Sequence, residues 1–301
     1  MSASRRPERL GKWLVSGPPL VYLLFFFAIP GLIMVLASFR TPGEFGGLAP
    51  LLDAGGNLDL NLESYARFFE DTLYAQIFVK SVLYAFATTL LCLALAYPLA
   101  ALIAGSPQHH RNLLLLLVIL PFWSNFLIRI YAWMIILGPQ AMLARVVNSS
   151  LATFGIAPVN LLFSSFAVIV CLVYVHLPFM VLPLYANLEK HDQSLLDAAQ
   201  DLGANAWQRF WRVTFPLSLP GVYAGAALVF IPALGIFAIP DILGGPDDSL
   251  IGNVIKQQFL ESRDWPFGSV LSIVLTVAAL SLAGLAAWVG ARDRQREAAN
   301  A

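Results

Sequence analysis

Charge is scarce in this sequence. Only 12% of the 301 residues are Asp, Glu, Lys or Arg, while 58% are hydrophobic. A water-soluble domain carries about 25% charged residues because its surface faces water. At half that level, much of the surface faces lipid. Cysteine is almost absent: Cys92 and Cys171 both fall inside apolar stretches. That excludes a disulfide framework, and two thiols cannot make a metal site; small apolar packing residues is the plain reading. Phosphate-cradling GxxxxGK[ST] loops are missing, as are HExxH and GxSxG patterns, so an enzymatic reading has no motif behind it. His109-His110 beside Arg111 reads as a solvated turn.

Long apolar runs are what the chain does have. They cover residues 13–38, 79–104, 113–137, 161–186, 217–240 and 267–290. Each exceeds the roughly 20 residues a helix needs to cross a bilayer core. A membrane β-barrel would show alternating segments of about ten residues instead. The expectation is an all-α membrane protein with six transmembrane helices. The first run is too long for a signal h-region, and its closing MVLASF (34–39) offers no small-x-small cleavage site.

Basic residues have a sidedness. Arg5, Arg6, Arg9 and Lys12 precede the first run, Arg111 follows the second, Lys190, Arg209 and Arg212 follow the fourth, and Arg292, Arg294 and Arg296 follow the last. The alternate connections carry Arg40, Arg67, Arg145, Lys256 and Arg263, but also most acids, among them Glu44, Asp53, Asp59, Glu63, Glu70, Asp71, Asp247, Asp248, Glu261 and Asp264. Lys/Arg bias puts the basic side in the cytoplasm, so both termini are expected there. The implied layout is a cytoplasmic segment 1–12, one transmembrane domain 13–290 with an external loop 39–78 and a cytoplasmic loop 187–216, and a cytoplasmic tail 291–301.

Spans three to five are not plain anchors. The third contains Pro121, Trp123, Ser124, Asn125, Arg129 and Tyr131; the fourth His176, Pro178 and Pro183; the fifth Pro220, Gly221, Gly225, Pro232, Gly235 and Pro240. Proline breaks the backbone ladder, which hydrocarbon tolerates only where protein or a watery cavity supplies partners. These helices therefore pack together or line a path. Arg129 sits toward the outer interface, where it can snorkel or meet an acid as a structural anchor, with path lining the alternative. His176 reads as a hydrogen-bonded core histidine. Asp241, after Pro240, either meets a cation entering the path or is an ordinary helix-end carboxylate. In the external loop, Leu62, Tyr65, Phe68 and Phe69 recur at helical spacing and predict a short interfacial helix, or a docking surface for an external partner.

Between spans four and five, the chain reads SLLDAAQDLG (194–203), then ANAW (204–207), then WRVTFP (211–216). Ser194 with Asp197 predicts a capping box, Ala198 and Ala199 a low-profile helix, Gly203 a sharp stop, and Asn205 the cap of a second helix. A helix–turn–helix elbow projecting from the membrane follows.

The spacing Asp197-Ala198-Ala199, three residues, Gly203, nine residues, Val213, one residue, Phe215-Pro216 resembles the EAA loop of ABC importer permeases. Here Asp197, Val213 and Phe215 stand where that family has Glu, Ile and Leu. LPFWSNFLIRIY (120–131), LPFMVLPLY (177–185), IGNVI (251–255) and RDWPFG (263–268) look like permeases for spermidine and putrescine, specifically the first of their two permease subunits. The resemblance implies the type I ABC importer permease fold and an inner-membrane subunit without its own ATP site. Asp197, Ala198, Ala199 and Gly203 would couple it to the ATPase. It also implies a second permease subunit, two ATP-binding subunits carrying ATP and Mg, and a periplasmic substrate-binding protein, with no nucleic acid partner. A polycationic solute needs carboxylates and aromatic faces, which nominates Trp123, Asn125, Tyr131 and Asp241 as path residues. Alternatives are the same machinery for an opine, an iron(III) complex or another organic cation, or a stand-alone secondary transporter. The last calls for intramembrane acids or an inverted repeat, and neither is evident.

Overall fold

The computed structural model describes residues 6–50 and 60–300. Arg5, Asp53, Asp59, Gly55 and Gly56 lie outside them, as do the side chains of Arg6, Arg9, Lys12, Arg292, Arg294 and Arg296. Among the described residues the structure is helical, with one isolated bridge between Pro42 and Leu48. Six helical stretches are long and apolar enough to cross a membrane: Val15–Ser38, Thr72–Gly105, Phe126–Thr153, Ser165–Leu188, Ala206–Leu234 and Trp265–Gly284. By contact the chain divides into two units, one formed by the chain up to Thr72 with Ile255–Val274, the other by Leu73–Val254 with the chain from Leu275.

In the first unit, α1 (Arg6–Leu23) runs through a π turn (Leu24–Ala28) into α2 (Ile29–Ser38). The wide turn ends just before Pro30, whose ring clashes with the carbonyl four residues back and whose missing N–H interrupts the α ladder. Only 6% of this apolar stretch is buried. Helix α3 (Glu63–Glu70) buries Ser64 and Phe68. The Tyr65 hydroxyl lies 2.8 Å from Ser38 Oγ, and its ring stacks 5.3 Å from Phe39. The predicted short helix thus forms, with Leu62, just before it, and Phe69 pointing outward. Arg67 pairs with Asp264 at 3.1 Å and lies over the Phe267 ring.

The second unit holds α4 (Thr72–Gly105) from Leu73 on, α5 (Gln108–Ile119), a 3-10 turn (Leu120–Trp123), α6 (Phe126–Leu137), α7 (Met142–Thr153), α8 (Ser165–Leu188), α9 (Gln193–Asp201), α10 (Ala206–Arg209), a π turn (Phe210–Thr214), α11 (Phe215–Leu234), α12 (Ala238–Leu243), the start of α13 (Ile251–Leu260) up to Val254, and the larger part of α14 (Trp265–Asn300). Helix α8 is its centre, with 61% of its apolar window buried. Cys92, Ala96, Ala100 and Ile103 of α4 meet Met180, Val181 and Leu184 of α8 and Val222 and Val229 of α11. A second cluster joins Ile130 and Leu137 of α6 with Cys171 and Leu172 of α8 and Ile239 and Leu243 of α12. Lipid tails are as apolar as leucine, so close van der Waals packing, not escape from water, holds such helices together.

Two expected spans are broken. The run 113–137 divides because Pro121 cannot donate to the ladder and Ser124 and Asn125 are extended; the long apolar stretch in this region is Phe126–Thr153. The fifth ends at Leu234, six residues before Pro240, which sits in the separate helix α12. The sixth starts at Trp265, and its helix continues to Asn300.

Candidate coupling elbow and substrate path

The elbow forms as expected, with one correction at its start. Asp192, not Ser194, caps α9, accepting the Ser194 N–H at 2.9 Å. The chain enters the helix two residues earlier than the Ser194–Asp197 pairing requires, so Asp197 stays exposed in mid-helix. The Ser194 N–H and hydroxyl hold the Asp192 carboxyl below the usual carboxylate range. Gly203 ends the helix at φ +80°, a left-handed conformation that costs a residue with a Cβ roughly 1–2 kcal/mol. Asn205 then caps α10 through a reciprocal box with Gln208, at 2.8 and 3.0 Å. Arg209 reaches back to Gln200 Oε1 at 2.6 Å, tying the two arms together. Asp197, Ala198 and Gly203 are exposed and Ala199 half-buried. Beside them Leu202 is 88% exposed, a large apolar side chain without cover on this chain.

At the elbow's base, Trp207, Phe210, Trp211 and Phe215 form a run of ring contacts that continues to Tyr97 of α4. Arg111 pairs with Glu189 at 2.5 Å and donates to the Ala104 and Ser106 carbonyls. The Arg111 contacts tie the ends of α4, α5 and α8 to one another.

The four expected path residues divide. Trp123, at the break between α5 and α6, is 77% exposed, and Tyr131, midway along α6, is 51% exposed. Asn125 is exposed too, but its side chain caps α6 by accepting the Leu127 N–H at 2.8 Å. Asp241 lies apart, in the first turn of α12, held by the side-chain amide of Asn253. Sequence reasoning missed Asn253; the quoted IGNVI motif was its only signal.

Arg129 neither snorkels nor finds an acid among the described residues. It is 92% buried, 8% of it remaining exposed, and stacks over Phe122 at 5.0 Å and Phe126 at 5.8 Å. Its charge faces aromatic rings instead of a carboxylate. His176 is the expected core histidine, with Nδ1 2.8 Å from the Leu172 carbonyl. His109 and His110 are exposed, in the first turn of α5. Among the described residues no group of three or more His, Cys, Asp or Glu could hold a metal ion.

A buried carboxylate was also missed. Asp248, in the α12–α13 connection, is 5% exposed. It accepts from the Tyr84 hydroxyl at 2.7 Å, the Ser165 hydroxyl at 2.6 Å and the Gly245 N–H at 2.9 Å, with Lys80 Nζ at 3.8 Å. Burial pushes its carboxyl up, but these donors and the ammonium outweigh it and hold the group below the usual range.

Residues 13–294 match the family of binding-protein-dependent transport system inner membrane components. The spermidine/putrescine transport system permease protein PotB of Haemophilus influenzae is 45% identical over 258 residues, 85% of this chain and 86% of that one. The Escherichia coli K12 protein of the same name is 42% identical over 273 residues, covering 90% and 94%. Among solved structures, a bacterial ABC transporter involved in the import of alginate matches with a TM-score of 0.67 over 96% of this chain and 99% of that one. An alginate ABC transporter bound to its pentasaccharide-loaded periplasmic protein matches at 0.71 over 94% and 96%. Both are 18% identical and speak to the fold alone. The chain therefore belongs to the inner-membrane components of binding-protein-dependent transport systems, and is an ABC importer permease subunit rather than an enzyme.

Proposed function

We propose that this subunit carries polyamines, putrescine and spermidine, into the cytoplasm. The observation that carries this is its 42–45% identity, over 85–90% of its length, to permeases named for those solutes. In this reading both termini are cytoplasmic and the layout is 1–12, 13–290 and 291–301, with loop 39–78 outside and 187–216 inside. A periplasmic binding protein delivers the solute to the outer face. A second permease subunit supplies the other wall of the path, and two ATP-binding subunits hold ATP and Mg.

The elbow is the coupling device. Its exposed Asp197, Ala198 and Gly203, half-buried Ala199 and apolar Leu202 fit a cleft in an ATP-binding subunit. The Arg209–Gln200 bond lets the two arms move as one piece. Closure of the ATPases pushes on α9, and the aromatic run at its base passes the displacement into α4 and α11. The path offers what an elongated polycation binds: the exposed rings of Trp123 and Tyr131, worth about 0.5–2 kcal/mol per cation–π contact, the polar Asn125, and the Asp241 carboxylate. Uptake of labelled putrescine and spermidine in a strain lacking the gene tests the solute. Loss of both is expected; unchanged uptake of both would remove the polyamine assignment and leave the permease assignment intact.

A further inference from the structure

The reading of Asp241 as a path carboxylate raises the question of what holds it, and the answer lies in α13. Helix α11 stops at Leu234, and α12 restarts with Phe237 as its N-cap. Helix ends leave backbone groups without partners, and near hydrocarbon such groups must be satisfied by neighbouring protein. The Phe237 carbonyl takes two donors, the Asp241 N–H at 3.0 Å and Asn253 Nδ2 at 2.9 Å. Asn253 Nδ2 also donates to Asp241 Oδ1, while Asn253 Oδ1 accepts the Leu250 N–H at 3.0 Å.

An asparagine amide offers two hydrogens and one carbonyl oxygen, and here each is engaged. Turning the amide over would set its oxygen against both the carboxylate and the Phe237 carbonyl, so one orientation alone satisfies the site. The preceding residue makes the approach possible. A Cβ on Gly252 would fall 2.6 Å from the Gly235 carbonyl oxygen and 2.7 Å from that of Ile236, backbone atoms that cannot swing aside. Any larger residue at 252 lifts Asn253 off the break.

We infer that Asn253 is a positioning residue for the Asp241 carboxylate, brought within reach by Gly252, and that it fixes this group relative to the break between α11 and α12. One amide thereby pins the start of α12 and aims the acid that α12 carries. The inference rests on the proposed role of Asp241.

The test is spermidine uptake by cells expressing the complete importer, with each variant's membrane level measured alongside. D241N and N253A are each expected to lower uptake about tenfold at normal membrane level, the scale of one lost charge-assisted hydrogen bond. Residues acting through one contact are non-additive, so D241N/N253A should stay within about twofold of D241N alone. G252A should likewise add nothing to D241N. A further tenfold loss in either double variant means an independent structural role and overturns the inference while leaving Asp241 in place. Undiminished uptake by N253A alone overturns it too. Undiminished uptake by D241N instead removes Asp241 from the path, and the inference falls with that reading.

Discussion

The elbow and the α12–α13 end are held by opposite kinds of interaction. The elbow's hydrogen bonds join residues close in sequence: Asp192 with Ser194, Asn205 with Gln208, Arg209 with Gln200. Its outer surface is left uncovered. The other end is tied across the chain, by Asp248 to Tyr84 and Ser165 and by the Ile251 N–H to Ser81 Oγ at 2.8 Å. The first is a self-supporting piece whose unfinished business is with another molecule. The second is bound into its own unit. Damage to the elbow should therefore abolish work without unfolding the chain, whereas damage around Asp248 should unfold it.

The largest expected effect is on coupling. A198R sets a long charged side chain on the exposed face of α9, and G203V forces a β-branched residue into the left-handed turn at about 1–3 kcal/mol of local strain. Each should lower ATP-driven uptake at least about a hundredfold while the permease still reaches the membrane in normal amount. Full transport and solute-stimulated ATP hydrolysis by the purified complex would refute the elbow's assignment.

Next comes D248A. It strands the Tyr84 and Ser165 hydroxyl donors and leaves the Lys80 ammonium with the Asp247 carbonyl but no carboxylate; removing one partner of a buried ionic network costs about 3–5 kcal/mol. A clearly lower melting temperature in detergent should appear, with no such drop for A198R. The carboxyl also makes the stability pH-dependent. Its folded pKa lies below its unfolded one, so its contribution is present above the unfolded value, about 4, and is lost as pH falls through the lower folded value. Acidification below about pH 4 should depress the wild-type melting temperature more than that of D248N.

The smallest effect belongs to the Arg209–Gln200 bond between the elbow's two arms. Arg209 and Gln200 are surface groups, and one exposed hydrogen bond of this kind is worth about 1 kcal/mol or less. R209A should slow transport a few-fold without changing thermal stability. A change in stability as large as that of D248A would erase the distinction between the two regions.

Legibility in the sequence follows the same division. Local signals survived folding: Gly203 makes its turn, Asn205 caps its helix, and the apolar runs give six helices of membrane-crossing length. Boundaries failed where residues competed for a role. Asp192 took the cap expected of Ser194 because an aspartate one residue before the helix outbids an internal serine for the first free N–H. Pro121 with Asn125 divided a run that hydropathy alone reads as continuous, because apolar composition is blind to a missing donor. Asp248 was one acid among several in an external connection, since its partners lie up to 164 positions away and no periodicity links them; Asn253 appeared only within IGNVI, with nothing local to tie it to Asp241. Arg129 was expected to find water or an acid and found aromatic faces, a choice set by how α6 packs.

The most direct measurement is cross-linking from the elbow. Both native cysteines, Cys92 and Cys171, are buried, so a single cysteine at Ala198 or Leu202 gives a clean probe in the assembled importer. A short bifunctional reagent should join either position to an ATP-binding subunit, with a yield that changes on adding ATP. Labelling of both positions by a membrane-impermeant thiol reagent added from the periplasm, with no such cross-link, would contradict the coupling role outright.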